Sequence, residues 1–127
     1  MPHMLHHVSF AVAELERSVQ FYDAALSALG YMRVWEDSSA VGYGLERGQD
    51  LFAVKVGPSG LIAPGPGFHL AFAAPSRDAV ARFHAGALAN GGRDNGAPGL
   101  RPAYGPNYYA AFVLDPDGYR IEAVINA

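Results

Sequence analysis

The chain alternates short apolar runs with amphipathic stretches, and the order of those patterns repeats. Leu5-His6-His7-Val8-Ser9-Phe10-Ala11-Val12 reads as a strand over 5–12. His7, Ser9 and Ala11 fall on one face, and Val8, Phe10 and Val12 on the other. From Glu14 to Leu29 the apolar positions Leu15, Val19, Tyr22, Leu26 and Leu29 are spaced 4, 3, 4 and 3 apart, which makes one stripe of a helix. Gly30 is placed to stop it. Strands follow at 31–36, 41–45 and 51–56, with Arg47-Gly48-Gln49-Asp50 as a turn between the last two. This first unit is βαβββ.

Residues 57–67 contain Gly57, Gly60, Gly65 and Gly67 with Pro58, Pro64 and Pro66, and read as a linker. The same logic then restarts. Phe68-His69-Leu70-Ala71-Phe72-Ala73 sets His69, Ala71 and Ala73 against Leu70 and Phe72. Ser76 is an N-cap for a helix to Ala89, with Val80, Phe83, Ala87 and Leu88 as its apolar stripe. Residues 92–106 hold Gly96, Pro98, Gly99, Pro102, Gly105 and Pro106, and are expected to be a long irregular loop. Strands at 109–114 and 119–125 flank Asp115-Pro116-Asp117-Gly118, a strong hairpin turn.

The two halves superpose at an offset of 62. His7 meets His69, Val8 meets Leu70, Phe10 meets Phe72, Phe21 meets Phe83, Ala25 meets Ala87 and Gly30 meets Gly92. Agreement over about 25 positions without a gap marks an internal repeat. Aligning the final strands on Gly48 and Gly118 gives an offset of 70, which sets Glu122 on Phe52. If a pseudo-twofold axis relates the units, His7, Phe52, His69 and Glu122 converge. Three of these are metal-ligand types, and two imidazoles with one carboxylate suit a divalent cation: Fe, Mn, Ni, Co or Zn. Open positions on such an ion let a substrate bind it directly.

These residues carry a family resemblance. His-His-Val-Ser-Phe at 6–10, Glu-Arg-Ser-x-x-Phe-Tyr at 16–22, His-Leu-Ala-Phe at 69–72 and Asp-Pro-Asp-Gly-Tyr-Arg-Ile-Glu at 115–122 resemble the vicinal oxygen chelate superfamily. That group includes glyoxalases, bleomycin-resistance proteins, fosfomycin-resistance transferases and extradiol dioxygenases. The segment 91–99 resembles a poorly characterised branch of it. The resemblance implies an α+β fold in which paired βαβββ units form a curved mixed sheet around a cup, with the helices outside. It covers 1–127 as one domain, with unit one over about 5–56 and unit two over about 68–126. It places metal ligands on the first and last strands of each unit, where His7, His69 and Glu122 fall, and makes Glu122 a candidate for proton transfer. It also implies a homodimer.

The match has departures. Phe52 stands at the fourth ligand position, which argues against glyoxalase I chemistry. The two-His, one-Glu set fits fosfomycin transferases better, yet their basic residues beyond the last strand have no counterpart here, leaving Arg33 and Arg101 as substitutes. Extradiol dioxygenases carry further histidines and tyrosines. Tyr104, Tyr108 and Tyr109 are available, whereas His84 is on the helix. Ser9, Phe52, Arg101 and the three tyrosines are the candidate pocket residues. Two functions stay open: a metal-dependent lyase, dioxygenase or thiol transferase acting on a small oxygen-chelating substrate, and a metal-free carrier of a drug-like or aromatic molecule.

Composition narrows the field further. Half of the 127 residues are hydrophobic and 17% are charged, enough for a core in one domain. The net charge of −3 gives no general drive toward nucleic acid or anionic membrane. Cysteine is absent, which excludes disulfides, thiolate metal sites and a cysteine nucleophile. No apolar run reaches the roughly 20 residues of a membrane span, and no basic-then-apolar leader opens the chain, so a cytoplasmic protein is expected.

Overall fold

A computed structural model of the chain describes residues 4–127; His3 lies outside them. The element order is β1 (Val8–Val12), α1 (Leu15–Ser27), β2 (Met32–Glu36), β3 (Ala40–Gly44), β4 (Phe52–Val56), β5 (Leu70–Ala73), α2 (Arg77–Ala89), β6 (Arg93–Leu100), β7 (Tyr108–Leu114) and β8 (Arg120–Asn126). The strands form two four-stranded mixed sheets, β1-β4-β3-β2 and β5-β8-β7-β6. In each, the first strand pairs in parallel with the last, and the remaining pairs are antiparallel. The paired βαβββ architecture is therefore present, and the offset of 62 relates the two 13-residue helices residue for residue.

Local chemistry explains the boundaries. Ser76 caps α2 by accepting from the Ala79 N–H at 3.1 Å. Glu14 caps α1 without a side-chain bond of its own. Asp117 sits beside this end of the helix, where it accepts from the Ala13 N–H at 3.2 Å and from Ser18 Oγ at 3.3 Å and pairs with Arg17 at 2.9 Å. A carboxylate beside the first turn of a helix also complements its dipole. Gly30 (φ 93°) takes the left-handed conformation that ends the first helical segment.

One expectation is corrected. Residues 93–100 are not loop: they form β6, the edge strand of the second sheet. Its ladder with β7 slips between Asp94 and Gly96 and again between Gly96 and Gly99. An edge strand tolerates Pro98, which has no N–H to give, and the two irregularities absorb the glycines. Only the stretch between Leu100 and Tyr108 remains a connection.

A single apolar core joins the units. Phe10, Phe52, Tyr22 and Phe72 meet in it, with Phe52 edge-on to Phe10 at 5.0 Å and to Phe72 at 5.3 Å. Phe10 stacks on Tyr119 of the other unit at 4.1 Å. Gly86 lets α2 approach the Ala24 backbone of α1, since a Cβ there would sit 3.3 Å from the Ala24 carbonyl. The helices and the bulky strand faces are thus turned inward together. Ser9 on β1, and Ala71 and Ala73 on β5, are left exposed on the opposite faces. The small-residue faces border open space, as the alternation predicts. Among the described residues no helix is long and apolar enough to cross a membrane.

The turn Asp115-Pro116-Asp117-Gly118 ties the units as well as reversing the chain. Asp115, 1% exposed, accepts from Tyr22 Oη on α1 at 2.6 Å and from the N–H groups of Asp117 and Tyr119, both at 2.9 Å. Burial raises its carboxyl and, with the facing Asp115, pushes the Tyr22 hydroxyl well up. Tyr22→Phe should therefore cost about 1–3 kcal/mol by leaving one carboxylate oxygen without its donor. Urea unfolding of the variant checks this, with an unchanged slope expected for an unchanged fold.

Candidate functional site

Glu122 lies in the middle of β8, directly across from Phe112 on β7 and Ala71 on β5. Residues opposed across a ladder share a face, so Glu122 points to the open side with Ala71 and the preceding His69. His69 Nε2 lies 3.0 Å from Glu122 Oε1. Tyr108 Oη donates to Glu122 Oε2 at 2.5 Å. The carboxylate is 1% exposed while the His69 side chain is 52% exposed. One oxygen thus faces a solvent-accessible imidazole and the other is closed off by a phenol. Burial, then the hydrogen bond and charge of Glu122, push the Tyr108 hydroxyl up to about 12.

His7 occupies the equivalent place before β1, on the first sheet. It is exposed, and its Nδ1 lies 2.8 Å from His6 Nδ1. It does not join His69 and Glu122: among the described residues no three histidines, cysteines or acids stand where they could hold one metal ion. The chain brings two of the three expected ligands together and sets the third on the other unit.

The ladder also revises the fourth position. Val8 pairs with Phe52 and Ser9 with Ala53, while Leu70 pairs with Ile121 and Ala71 with Glu122. The repeat mate of Glu122 is therefore Ala53, and that of Phe52 is Ile121. The glycine alignment is off by one because Phe52 lies four residues after Gly48 whereas its mate Ile121 lies three after Gly118. Phe52 faces the core, 3% exposed, and so is not a pocket residue of the open face. Ala53 leaves the corresponding spot on the first sheet without a donor.

The remaining candidates separate by strand parity. Tyr108 shares the open face with Glu122. Tyr109 points the other way, partly buried against the core with the Arg77 guanidinium 5.0 Å from its ring centre. Tyr104 is 65% exposed and edge-on to Tyr108 at 5.2 Å. Ser9 is exposed on the open side of β1. Arg101 lies over the Phe112 ring at 5.3 Å. Arg33 is held by Asp23 at 2.6 Å and by Glu36, and His84 faces Asp94 at 2.9 Å. These last two are therefore engaged away from the face. Trp35 lies over Gly42 on the open side of the first sheet, where a Cβ would come within 2.6 Å of the indole. Phe112 and Arg120 belong to the second open face and fall outside the motif-based candidates. The signal that finds them is the period-2 alternation 108, 110, 112 and its partners 122 and 120.

The model of the Glyoxalase/Bleomycin resistance protein/Dioxygenase superfamily matches residues 4–123. A glyoxalase/bleomycin resistance protein from Albidiferax ferrireducens is 35% identical, with 96% of this chain and 98% of that one covered at a TM-score of 0.81. A glyoxalase-related enzyme from Fulvimarina pelagi is 20% identical, covering 98% and 89% at 0.73. The fosfomycin resistance protein FosX from Mesorhizobium loti is 18% identical, covering 100% and 95% at 0.68. At these two lower identities the likeness is one of fold. A search of curated proteins found no match.

The Tyr108–Glu122 bond makes a pH prediction. A phenol whose folded pKa exceeds its unfolded value adds stability below the unfolded value, and that contribution is lost as pH rises toward the folded one. Wild-type stability should fall between pH 10.0 and about 12 by an increment that Tyr108→Phe lacks, measured by denaturant unfolding at stepped pH. At neutral pH the variant should lose about 1–3 kcal/mol, because Oε2 of a buried carboxylate is orphaned.

Proposed function

Because the chain belongs to the glyoxalase/bleomycin resistance protein/dioxygenase superfamily, we propose that it is a divalent-metal enzyme whose site is shared between two copies. His69 and Glu122 of one copy are two ligands, and His7 of a second copy is the third. The observation that carries the reading is the contact of His69 with Glu122 on an open face, while His7 presents its imidazole at the equivalent place on the other sheet. The donor set fits a borderline divalent ion: imidazole nitrogen and carboxylate oxygen, with no thiolate available anywhere in the chain. Such an ion supplies Lewis-acid polarisation of an oxygen-chelating substrate.

The chain's own residues do the rest. Glu122, being buried, keeps its orientation through Tyr108, as ligating carboxylates are commonly held by an outer partner. The exposed His69 is free to turn toward an incoming ion. Small side chains at Ala71 and Ala73 leave room above the sheet. Two open faces that each need cover favour a homodimer in which the first sheet of one copy faces the second sheet of the other.

A second reading has its own observation. His69, Glu122 and Tyr108 satisfy one another without an ion, which suits a metal-free carrier of a small molecule of the bleomycin-resistance kind.

Metal content of untagged protein decides between them. The shared-site reading expects about one equivalent of transition metal per chain, lost in His7→Ala, His69→Ala and Glu122→Ala alike. Co-purified heterodimers of His7→Ala with Glu122→Ala should regain one intact site per dimer. Wild-type protein that takes up no metal from Fe(II), Mn(II), Co(II), Ni(II) or Zn(II) would leave the carrier reading standing.

A further inference from the structure

The charge on the open face of the second sheet runs against the charge of the chain. The protein carries a formal charge of −3, yet this face is cationic. Register places Arg93, Leu114 and Arg120 in one row across β6, β7 and β8. The next row of the same face is Gly96, Phe112, Glu122 and Ala71. His69 immediately precedes β5, whose first residue, Leu70, pairs with Ile121 next to Arg120. Arg101 leaves the end of β6 and folds back over Phe112. Three arginines therefore share this face with one carboxylate, which is already engaged by His69 and Tyr108.

Arginines elsewhere in the chain are either paired or, like Arg47 and Arg77, exposed to solvent. Arg17, Arg33 and Arg82 each have a carboxylate partner. Arg93, Arg101 and Arg120 have none among the described residues. Arg101 and Arg120 are also half-buried, and a charge drawn out of water without a counter-charge is costly. Arg101 is seated rather than loose. Its Nη2 donates to the Ala97 carbonyl at 2.6 Å, and its Nη1 to that of Leu100 at 3.4 Å. The two irregularities of β6 put glycines beneath it: a Cβ at Gly96 would lie 3.3 Å from Nη2, and one at Gly99 would lie 3.2 Å from Nη1. Neutral carbonyls and a hollowed backbone fix the fork while leaving its charge uncompensated. A fixed guanidinium fork matches the paired oxygens of a carboxylate or phosphonate.

We propose that the open face of the second sheet binds a small organic anion, whose oxyanion group is taken by Arg101 and Arg120 and whose apolar part lies on Phe112. This rests on the reading of that face as the substrate site and names the substrate class. It requires no metal. Arg93, exposed at the rim, adds to the field that draws the anion in.

The test is a titration of 15N-labelled, EDTA-treated full-length protein, followed by the arginine Nε–H and backbone amide resonances. The probes are benzoate, phenylphosphonate and the uncharged benzamide. Saturable shifts at Arg101 and Arg120 with at least one anion, and none with benzamide at equal concentration, are expected. The tighter anion identifies the headgroup. Arg101→Gln should weaken binding about tenfold and Arg101→Lys less, as fits the loss of one charge-assisted contact. Arg120→Gln, which removes no bond to the β6 backbone, gives the independent second variant. Benzamide binding as well as benzoate, silence with both anions, or wild-type affinity in both Gln variants would overturn the proposal. Anion binding without metal uptake would sink the metal reading alone, and metal uptake without anion binding would sink this one alone.

Discussion

Two buried carboxylates of one turn hold the molecule in its arrangement. Asp115 accepts from Tyr22 deep in α1, and Asp117 accepts at the N-terminus of the same helix and pairs with Arg17. Both belong to the last hairpin of unit two, and both act on the first helix of unit one. A half-satisfied version of this network would leave charge buried without a partner, so it favours one relative placement of the units. That placement turns the helices and the aromatic strand faces toward each other. The shared core of Phe10, Phe52, Phe72 and Tyr119 then forms across the join.

The consequence for function is geometric. With the bulky faces packed against one another, the small-residue faces are turned outward. His7 is left on one and the His69–Glu122 pair on the other. Each unit carries part of the predicted ligand set, and the two parts are not brought together within the chain. The asymmetry between the repeats is equally informative. Ala53 replaces the carboxylate of Glu122 at the mate position, and the first sheet places Trp35 over Gly42 where the second places Arg101 over Gly96. One repeated pattern thus carries a cationic face in one unit and a plainer one in the other.

Much of the fold was legible in the residues. Period-2 alternation around His7 and His69 located both first strands and their exposed sides. The 4-3-4-3 spacing from Leu15 to Leu29 located α1, and the capping serine located the start of α2. Where the reading failed, a tertiary term overrode a local one. Glycine and proline between 92 and 100 signal a loop, but an edge position with a slipped ladder accepts both. Aligning Gly48 with Gly118 put Phe52 opposite Glu122, because turn length is invisible to an alignment made on the turn itself. One residue of slip exchanges the faces of a strand, which moved Phe52 from the pocket to the core.

The sequence alone therefore determined the repeat, the element types and the identity of the ligand-type residues, since these follow from periodicities of two and 3.6 residues and from side-chain chemistry. Only the tertiary structure decided which of those residues meet. It joined Glu122 to His69 and Tyr108, kept His7 apart, sent Tyr109 to the core side and set Arg93, Arg101 and Arg120 on one face. Ladder register and the packing of one unit on the other set those distances, and both depend on contacts between residues far apart in the chain.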